Sequence, residues 1–465
     1  MTNGKFKFKT VAGLFKISPV KIIVASFLAA IMTGMLLLML PVSSATGSGT
    51  DPLTALFTAT TSICVTGLVV VDTYSHWSLF GQIVILILIQ IGGLGMIAVA
   101  SSIMLLVRKK FSLSDRILLR DSFNLNSNNM LLLFLRRVLK GTFTVEAIGA
   151  VLYSFVFIPR FGFRKGLWCS VFNAVSAFCN AGMDVLGPDS LMSYRNDPLV
   201  MTVTSILIIM GGIGFVVWFD VTGKIKSGVR DKLSPATIVK RLSENTKLVT
   251  SFTAVLLLGG MLAFLILEYN NPGTIGSMSF GGKLANSFFE SVTLRTAGFA
   301  TFPQENMTGA SCVLAYVFMF IGGSPVGTAG GIKTTTFFLL IMNVRSYLRN
   351  QKYNVIFNRR VSEDSMRKAS AVVFVSAGAV IVLTILLSVF NPVPLEDALY
   401  EVVSACGTVG LSRGLTSSLK TAGRLIIIIA MFLGRIGPIS LVAVFSGNGE
   451  DSNKIRYSEG RFYVG

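Results

Sequence analysis

The fold is decided by the stretch FFESVTLRTAGF, which runs from Phe288 to Phe299. The stretch begins as a helix-like run, ends near a glycine, and lies between two longer apolar segments. A helix that spans a membrane needs about 20 apolar residues, so this one is too short to cross. We therefore predict a re-entrant half-helix followed by an extended loop.

The same pattern occurs four times along the chain. Each copy has a glycine, an aromatic residue ten positions before it, a hydroxyl residue five or six positions before it, and an apolar residue after it. A second glycine-rich signature begins about 24 to 29 residues further on. The repeats predict four copies of one unit: span, half-helix, glycine loop and span. The glycines are Gly67, Gly182, Gly298 and Gly410; the aromatic residues are Phe57, Phe172, Phe288 and Tyr400; the hydroxyl residues are Thr61 or Ser62, Ser176, Thr293 and Ser404; the signatures begin at Gly92, Gly211, Gly322 and Gly434.

The composition is that of a membrane protein. Hydrophobic residues make up 52% of the chain and charged residues 14%, and the mean hydropathy is +0.70. These values exclude an ordinary soluble domain. Eight spans need only about 160 residues, which leaves room for four half-helices and their loops. We predict an all-α polytopic membrane protein with eight transmembrane helices.

The repeat pattern sets the predicted boundaries. Spans are expected at about residues 22–40, 79–107, 137–158, 198–221, 247–267, from 310, 369–390 and 422–446, and half-helices at about 51–63, 167–178, 283–294 and 395–406. The pore repeats then cover 18–110, 136–222, 246–350 and 368–446; a leader covers 1–17, linkers cover 111–135, 223–245 and 351–367, and a tail covers 447–465.

The charge distribution predicts the orientation. The formal net charge is +19, which on a soluble chain would suggest nucleic acid. Roughly 30 of the 41 Lys and Arg residues fall in the N-terminal segment, in the loops near 108–140, 223–247 and 345–368, and in the tail from 447, which the eight spans place on one side. By the positive-inside rule that side is the cytoplasm. We therefore expect both termini in the cytoplasm, surrounding membrane lipid and no nucleic-acid partner.

The glycine loops predict a cation path. Four loops that meet on one axis can form a ring of backbone carbonyls, which replaces the hydration shell of a monovalent cation. Glycine permits the dihedral angles that turn the carbonyls inward, and the half-helices direct their partially negative ends at the axis. The predicted lining is Cys64, Val65, Thr66 and Gly67; Cys179, Asn180, Ala181 and Gly182; Arg295, Thr296, Ala297 and Gly298; and Gly407, Thr408, Val409 and Gly410.

The sixth span cannot be a regular helix, because it carries five glycines, a proline and a lysine. Irregular backbone at membrane depth occurs where it is buried in protein or lines water, so this segment is predicted to line the path. Its residues of interest are Gly322, Gly323, Ser324, Pro325, Gly327, Thr328, Gly330, Gly331 and Lys333.

Arg435 replaces the second glycine of the repeated signature. A charge in mid-span costs about 2.5–3.5 kcal/mol or more, so we expect it in the water path as an electrostatic barrier below the loops. A structural ion pair is the alternative for Arg435, and equally for Lys333.

These features together resemble the Trk/Ktr/HKT superfamily of potassium transporters, and the length and termini resemble the bacterial KtrB membrane subunit. The resemblance implies pseudo-fourfold symmetry around one pore, with the four glycines in its selectivity filter. It implies that the segment from about Gly322 to Gly331 gates the pore together with Arg435. In plant relatives a serine at the first glycine position accompanies sodium selectivity, so Gly67 favours potassium.

The resemblance also implies partners. Bacterial members form homodimers in the plasma membrane, on a cytosolic ring of nucleotide-binding, KtrA-like subunits. This chain contains no such ring domain, so a nucleotide site would belong to the partner. Sodium stimulation is typical of Ktr systems, although the sequence offers no sodium site. Potassium would be the transported ion, and no covalent cofactor is expected.

Two other functions are alternatives to a gated pore. Sodium- or proton-coupled potassium symport also uses broken helices, and Glu146 is the candidate acidic residue within a span. An enzyme would need a nucleophile–base pair or metal ligands, but the chain has one histidine, His76, and its five cysteines form no Cys-x-x-Cys pair. A cation moving inward gains about 2.3 kcal/mol per 100 mV, so voltage alone is a sufficient driving force.

Overall fold

The computed structural model describes residues 19–95, 131–351 and 353–437. Within these ranges the chain forms sixteen α-helices and one two-stranded antiparallel hairpin. The first eight helices are α1 (Pro19–Leu38), α2 (Pro52–Cys64), α3 (Thr73–His76), α4 (Leu79–Leu94), α5 (Leu131–Phe161), α6 (Phe163–Cys179), α7 (Pro198–Gly212) and α8 (Phe215–Arg230). The others are α9 (Pro235–Lys240), α10 (Glu244–Glu268), α11 (Phe280–Thr293), α12 (Gly309–Phe320), α13 (Thr334–Leu348), α14 (Glu363–Phe390), α15 (Leu395–Gly407) and α16 (Thr421–Ile436), and the strands are β1 (Val355–Ile356) and β2 (Arg359–Arg360).

The predicted half-helices correspond to α2, α6, α11 and α15. Local chemistry sets their ends. Asp51 caps α2, since its Oδ2 accepts hydrogen bonds from the backbone N–H groups of Leu53 and Thr54, both at 3.1 Å, and Pro52 occupies the first turn. In α11 the hydroxyl of Ser279 accepts from the N–H of Gly282 at 3.3 Å.

Polarity is distributed as in a membrane protein. The hydroxyl residues Thr60 and Thr61 of α2 are completely buried. By contrast, Phe155 of α5, Ile266 of α10 and Phe374 of α14 are 67%, 74% and 81% exposed. A soluble chain buries such side chains, whereas a lipid environment solvates them. The long helices therefore form an apolar outer layer around buried half-helices, which fits a multi-pass membrane protein.

The helices that follow the glycine loops close a circle. Each packs against the half-helix of the next copy: α4 against α6, α7 against α11, α12 against α15, and α16 against α2. This cyclic order brings the C-terminal ends of the four half-helices to the centre of the molecule.

Among the described residues, three helices are long and apolar enough to cross a membrane alone: Phe134–Phe161, Glu244–Glu268 and Glu363–Phe390. Four shorter apolar helices accompany them: Val24–Leu38, Pro52–Cys64, Leu79–Leu94 and Gly309–Phe320. The predicted continuations of the second span to residue 107 and of the eighth span to residue 446 lie outside the described residues.

The fourth predicted span, about residues 198–221, is bent in the structure. Helix α7 ends at Gly212 and α8 begins at Phe215, and the two meet at 98°. Gly214 between them has φ +92°, a conformation that other residues rarely adopt. A Cβ at Gly214 would also lie 2.5 Å from the carbonyl oxygen of Pro325. The fourth span therefore bends where the irregular part of the sixth span packs against it.

Gly166 tests how closely α5 and α6 pack. A Cβ there would lie 2.5 Å from Ile158 Cα and from the carbonyl oxygen of Phe157. We expect Gly166→Ala to lower the free energy of unfolding by about 1–3 kcal/mol, because backbone must move to admit the methyl group. Gly281→Ala in α11 is the matched control, since a Cβ there meets nothing within 4 Å. Thermal unfolding of the purified protein in detergent measures both, and equal midpoints for the two variants would contradict this packing.

Candidate functional site

The glycine loops, residues 64–67, 179–182, 295–298 and 407–410, meet in a closed ring. Each loop glycine lies against a backbone carbonyl oxygen of the next loop, that of the residue just before its glycine. A Cβ on the first glycine would collide with this oxygen. The contacts run from Gly67 to Ala181 (2.5 Å from the added Cβ), from Gly182 to Ala297 (2.6 Å), from Gly298 to Val409 (2.5 Å), and from Gly410 back to Thr66. No side chain fits at these four positions.

Two positions in every loop have left-handed backbone. The glycines have φ between +65° and +98°. The residue two places earlier is also left-handed: Val65, Asn180, Thr296 and Thr408 have φ of 55°, 59°, 67° and 52°. Asparagine tolerates this conformation, but for β-branched residues it costs roughly 1–3 kcal/mol each. The glycine loops are therefore strained at Val65, Thr296 and Thr408.

The recurring hydroxyl residues fasten the loops to their half-helices. In the first, second and fourth copies, the backbone N–H of the loop glycine or of the residue after it donates to the hydroxyl oxygen. In the third copy the hydroxyl is the donor, to a backbone carbonyl. The bonds are Gly67 N to Thr61 Oγ1 (3.0 Å), Met183 N to Ser176 Oγ (3.1 Å), Gly410 N to Ser404 Oγ (3.1 Å) and Thr293 Oγ1 to Phe299 O (2.8 Å). These bonds explain the hydroxyl spacing in the sequence.

The glycines of the second signature pack against the C-terminal ends of the half-helices, on the side away from the ring. Gly92, Gly211 and Gly434 lie against the carbonyl oxygens of residues near the ends of the half-helices. Those carbonyls belong to Ile63, Phe178 and Cys406, each four positions before a loop glycine. Any larger residue would push the half-helix away from the centre.

An open mouth lies on one side of the ring. A cavity of about 400 Å³ is lined by all four loop glycines and by the carboxyl residues Asp72, Asp184 and Glu305. Burial raises the pKa of Asp184 to about 7, although the N–H of Leu186, 3.0 Å from Oδ1, opposes the rise. The mouth is therefore lined by acidic groups and can attract cations.

The other side of the ring is covered by residues 321–333, the broken segment. The segment folds back on itself, with Gly322 N donating to Ile332 O at 2.9 Å and forming a bridge between Ile321 and Ile332. It is bonded to α7, because Ser324 N donates to Gly212 O at 2.9 Å and Thr328 N to Gly211 O at 3.1 Å. Its backbone thus finds partners inside the protein, as irregular backbone at membrane depth must.

Arg435 joins the broken segment to the first copy. Its guanidinium donates to Thr328 O at 2.6 Å and to Gly92 O. Lys333 Nζ donates to Ala329 O at 2.8 Å. Neither cation pairs with a carboxylate among the residues that the structure describes, so the alternative of a structural ion pair finds no partner there. Both charges are held by backbone carbonyls beside the broken segment.

Several buried carboxylates have structural partners. Glu401 Oε1 accepts from the hydroxyls of Ser412, at 3.1 Å, and Thr416. Glu290 Oε2 lies 3.5 Å from Gln304 Nε2. Both half-helix glutamates therefore tie α11 and α15 to the loops that follow the ring. In the described part of the chain no three His, Cys, Asp or Glu side chains form a metal site.

Sequence reasoning missed Arg413 altogether. Its guanidinium is bonded to Asp397 Oδ1 at 2.7 Å and to Glu396 Oε1 at 3.3 Å, and it lies 3.4 Å from Gln304 O. The arginine thus links the third and fourth copies beside the acidic mouth. It lies three positions after Gly410, a spacing that no other copy repeats, so the repeat pattern gave no signal for it.

The chain matches a known protein family over most of its length. Residues 15–455 match the family model described as TrkH, cation transport protein. The Ktr system potassium uptake protein B of Bacillus subtilis is 40% identical over 453 residues, which cover 97% of each chain. The potassium/sodium uptake protein NtpJ of Enterococcus hirae is 39% identical over 431 residues, covering 92% of each.

A solved structure has a similar fold. The crystal structure of the potassium transporter TrkH from Vibrio parahaemolyticus matches with a TM-score of 0.73 and covers 93% of this chain and 86% of that one. The sequences are 15% identical, so this likeness concerns the fold alone.

Proposed function

The chain belongs to the TrkH family of cation transport proteins, which are ion transporters and not enzymes, and from this premise we propose that it carries potassium into a bacterial cell through the glycine loops. The family assignment confirms the resemblance seen in the sequence. The observation that carries the proposal is the closed contact of the four loop glycines with the carbonyl oxygens of the neighbouring loops. A carbonyl ring of this kind takes the place of water around a monovalent cation. Relatives described as potassium uptake proteins favour potassium as that ion.

Eight spans in four repeats surround the ring with pseudo-fourfold symmetry. The cyclic packing of α4, α7, α12 and α16 against successive half-helices supports this arrangement. Helices α7 with α8, and α12 with α13, each form one span that is interrupted inside the protein. The positive-inside rule then puts both termini in the cytoplasm and the acidic mouth outside.

The broken segment gates the path together with Arg435. The segment lies on the inner side of the ring, and the half-buried guanidinium bonded to Thr328 O puts a positive charge beside it. A cation leaving the ring inward meets that charge at membrane depth, where water screens it weakly. Displacement of the segment opens the path, and the membrane voltage drives the ion inward.

Regulation comes from a cytosolic partner. Relatives described as parts of a Ktr system support a complex of several proteins. A homodimer of this chain sits on a ring of nucleotide-binding subunits, which holds the regulatory nucleotide. Sodium acts as an activator. Potassium is the transported substrate.

Sodium- or proton-coupled symport is the second candidate, and Glu146 favours it. The carboxylate is 5% exposed and accepts from Gln90 Nε2 at 3.1 Å, with Cys179 Sγ at 3.8 Å. It thus lies directly behind the second glycine loop, where binding of a proton or sodium ion could act on the ring. The reversal potential of the potassium current in liposomes separates the two functions: in a voltage-driven pore it follows the potassium gradient alone, whereas in a symporter an imposed sodium or proton gradient shifts it.

Gly298→Ser tests the ring directly. The side chain would collide with Val409 O at a φ of +83°, so the third loop must move away from the fourth. We expect sodium exclusion during rubidium uptake to weaken at least roughly tenfold, equivalent to about 1.4 kcal/mol of selectivity. Gly187→Ser is the control, because it lines the same mouth, also has positive φ, and meets nothing within 4 Å. Unchanged selectivity in Gly298→Ser would contradict the ring assignment.

Arg435→Ala tests the inner barrier. Removal of the guanidinium frees Thr328 O and Gly92 O and deletes the positive charge. We expect the maximal rate of rubidium uptake to rise several-fold in the absence of the cytosolic partner. Arg435→Lys retains the charge and should stay near the native rate. Equal rates in all three proteins would reduce Arg435 to a structural residue.

The raised pKa of Asp184 predicts that potassium uptake depends on the external pH. Because burial raises its pKa to about 7, the carboxyl is neutral below that pH and charged above it. Asp72 and Glu305 share the cavity, and Ser190 and the N–H of Leu186 bond to Asp184. We expect uptake at low potassium to fall about threefold from pH 8 to pH 6, as one charge near the path is lost. Asp184→Asn should be slow and should lack this step; a native pH profile in that variant would refute the assignment.

A further inference from the structure

Thr328 holds a central place in the broken segment. Its backbone N–H donates to Gly211 O at 3.1 Å, and its carbonyl accepts from Arg435. Its hydroxyl is completely buried and donates to Asn180 Oδ1 at 2.8 Å, with Phe178 O at 3.1 Å. The side chain of Thr328 therefore faces the second glycine loop, whereas its backbone bonds to α7 and to Arg435.

Asn180 is the left-handed residue of that loop and is almost fully buried. The hydroxyl of Thr328 is its side-chain partner in the described part of the chain, and its Nδ2 has none there. Two places further on, Gly182 contacts Ala297 O and closes the ring. A shift of the Asn180 side chain thus moves the backbone that sets one quarter of the ring.

We propose that the Thr328–Asn180 hydrogen bond couples the broken segment to the second glycine loop, so that Thr328 is a positioning residue for ion selectivity as well as part of the gate. The inference rests on the proposed function. When the segment leaves its observed position, Asn180 loses its partner and the second loop relaxes. Since coupling between two sites is reciprocal, an ion that fixes the ring also stabilises the segment in place.

Two further contacts join the segment to the ring. Arg295 of the third loop is buried and directs Nη2 at Gly322 O, 3.4 Å away. Thr408, the left-handed residue of the fourth loop, lies against Gly330 so closely that no Cβ fits there. The segment therefore touches three of the four loops, and these contacts are not equivalent between copies. Of the three, the Thr328–Asn180 bond is the one that joins two side chains.

A double-mutant cycle on purified protein in liposomes tests the coupling, with rubidium as the transported probe. Thr328→Val removes the hydroxyl at nearly constant shape, and Asn180→Gly removes the amide while keeping the left-handed backbone. We expect each variant to raise the maximal uptake rate and to weaken sodium exclusion roughly threefold to tenfold. The double variant should be no worse than either single one, because both remove the same bond. Thr328→Ser should restore native values.

Ser324→Ala is the matched control. Its hydroxyl bonds to Thr334 Oγ1 at 3.0 Å within the gate region and does not touch the glycine loops. We expect it to raise the uptake rate and leave sodium exclusion unchanged. The inference is overturned if Thr328→Val behaves like Ser324→Ala, or if the effects of the two single variants add. Failure of the native protein to take up rubidium would instead refute the proposed function.

Discussion

The structure depends on burying backbone carbonyl groups around one axis without side chains between them. Each carbonyl oxygen lies against a glycine of the neighbouring loop, so the ring exists only while four chain segments stay in close contact. That contact forces left-handed backbone on Val65, Thr296 and Thr408, which is unfavourable for β-branched residues. The strain is offset by hydroxyl bonds from the half-helices and by the cyclic packing of the helices behind them.

The four copies differ at the positions that contact the broken segment. The first copy follows the common pattern, with Val65 packed against Gly92. The second supplies the amide of Asn180, the third the guanidinium of Arg295, and the fourth Arg435 in place of a glycine. Each of these polar groups bonds to the broken segment. The ring is thus built from positions that repeat, and the contacts that hold the broken segment against it come from positions that differ between copies.

The repeats made most of the site accessible from sequence. Matched spacing predicted the loop glycines and the half-helices, since each repeat supports the spacing of the others. The glycines and the proline between Gly322 and Gly331 predicted the broken sixth span. The loops were predicted to meet on one axis, but spacing carries no information about individual contacts between copies. The contact of each loop glycine with the carbonyl oxygen of the next loop and the Thr328–Asn180 bond therefore could not be predicted. The bend at Gly214 was missed because Gly211 and Gly212 are compatible with a continuous apolar span, and its cause is packing against Pro325. Left-handed Val65 and Thr408 contradict local preference, so only the folded structure reveals them.

The central claim is that the carbonyl oxygens of these loops hold a dehydrated ion. Anomalous scattering from rubidium in crystals of the native protein measures this most directly. The account predicts rubidium peaks on the axis between the four glycines, within coordination distance of the carbonyl oxygens of Thr66, Ala181, Ala297 and Val409. Rubidium bound only in the acidic mouth, or beside Glu146, with none between the loops, would contradict it.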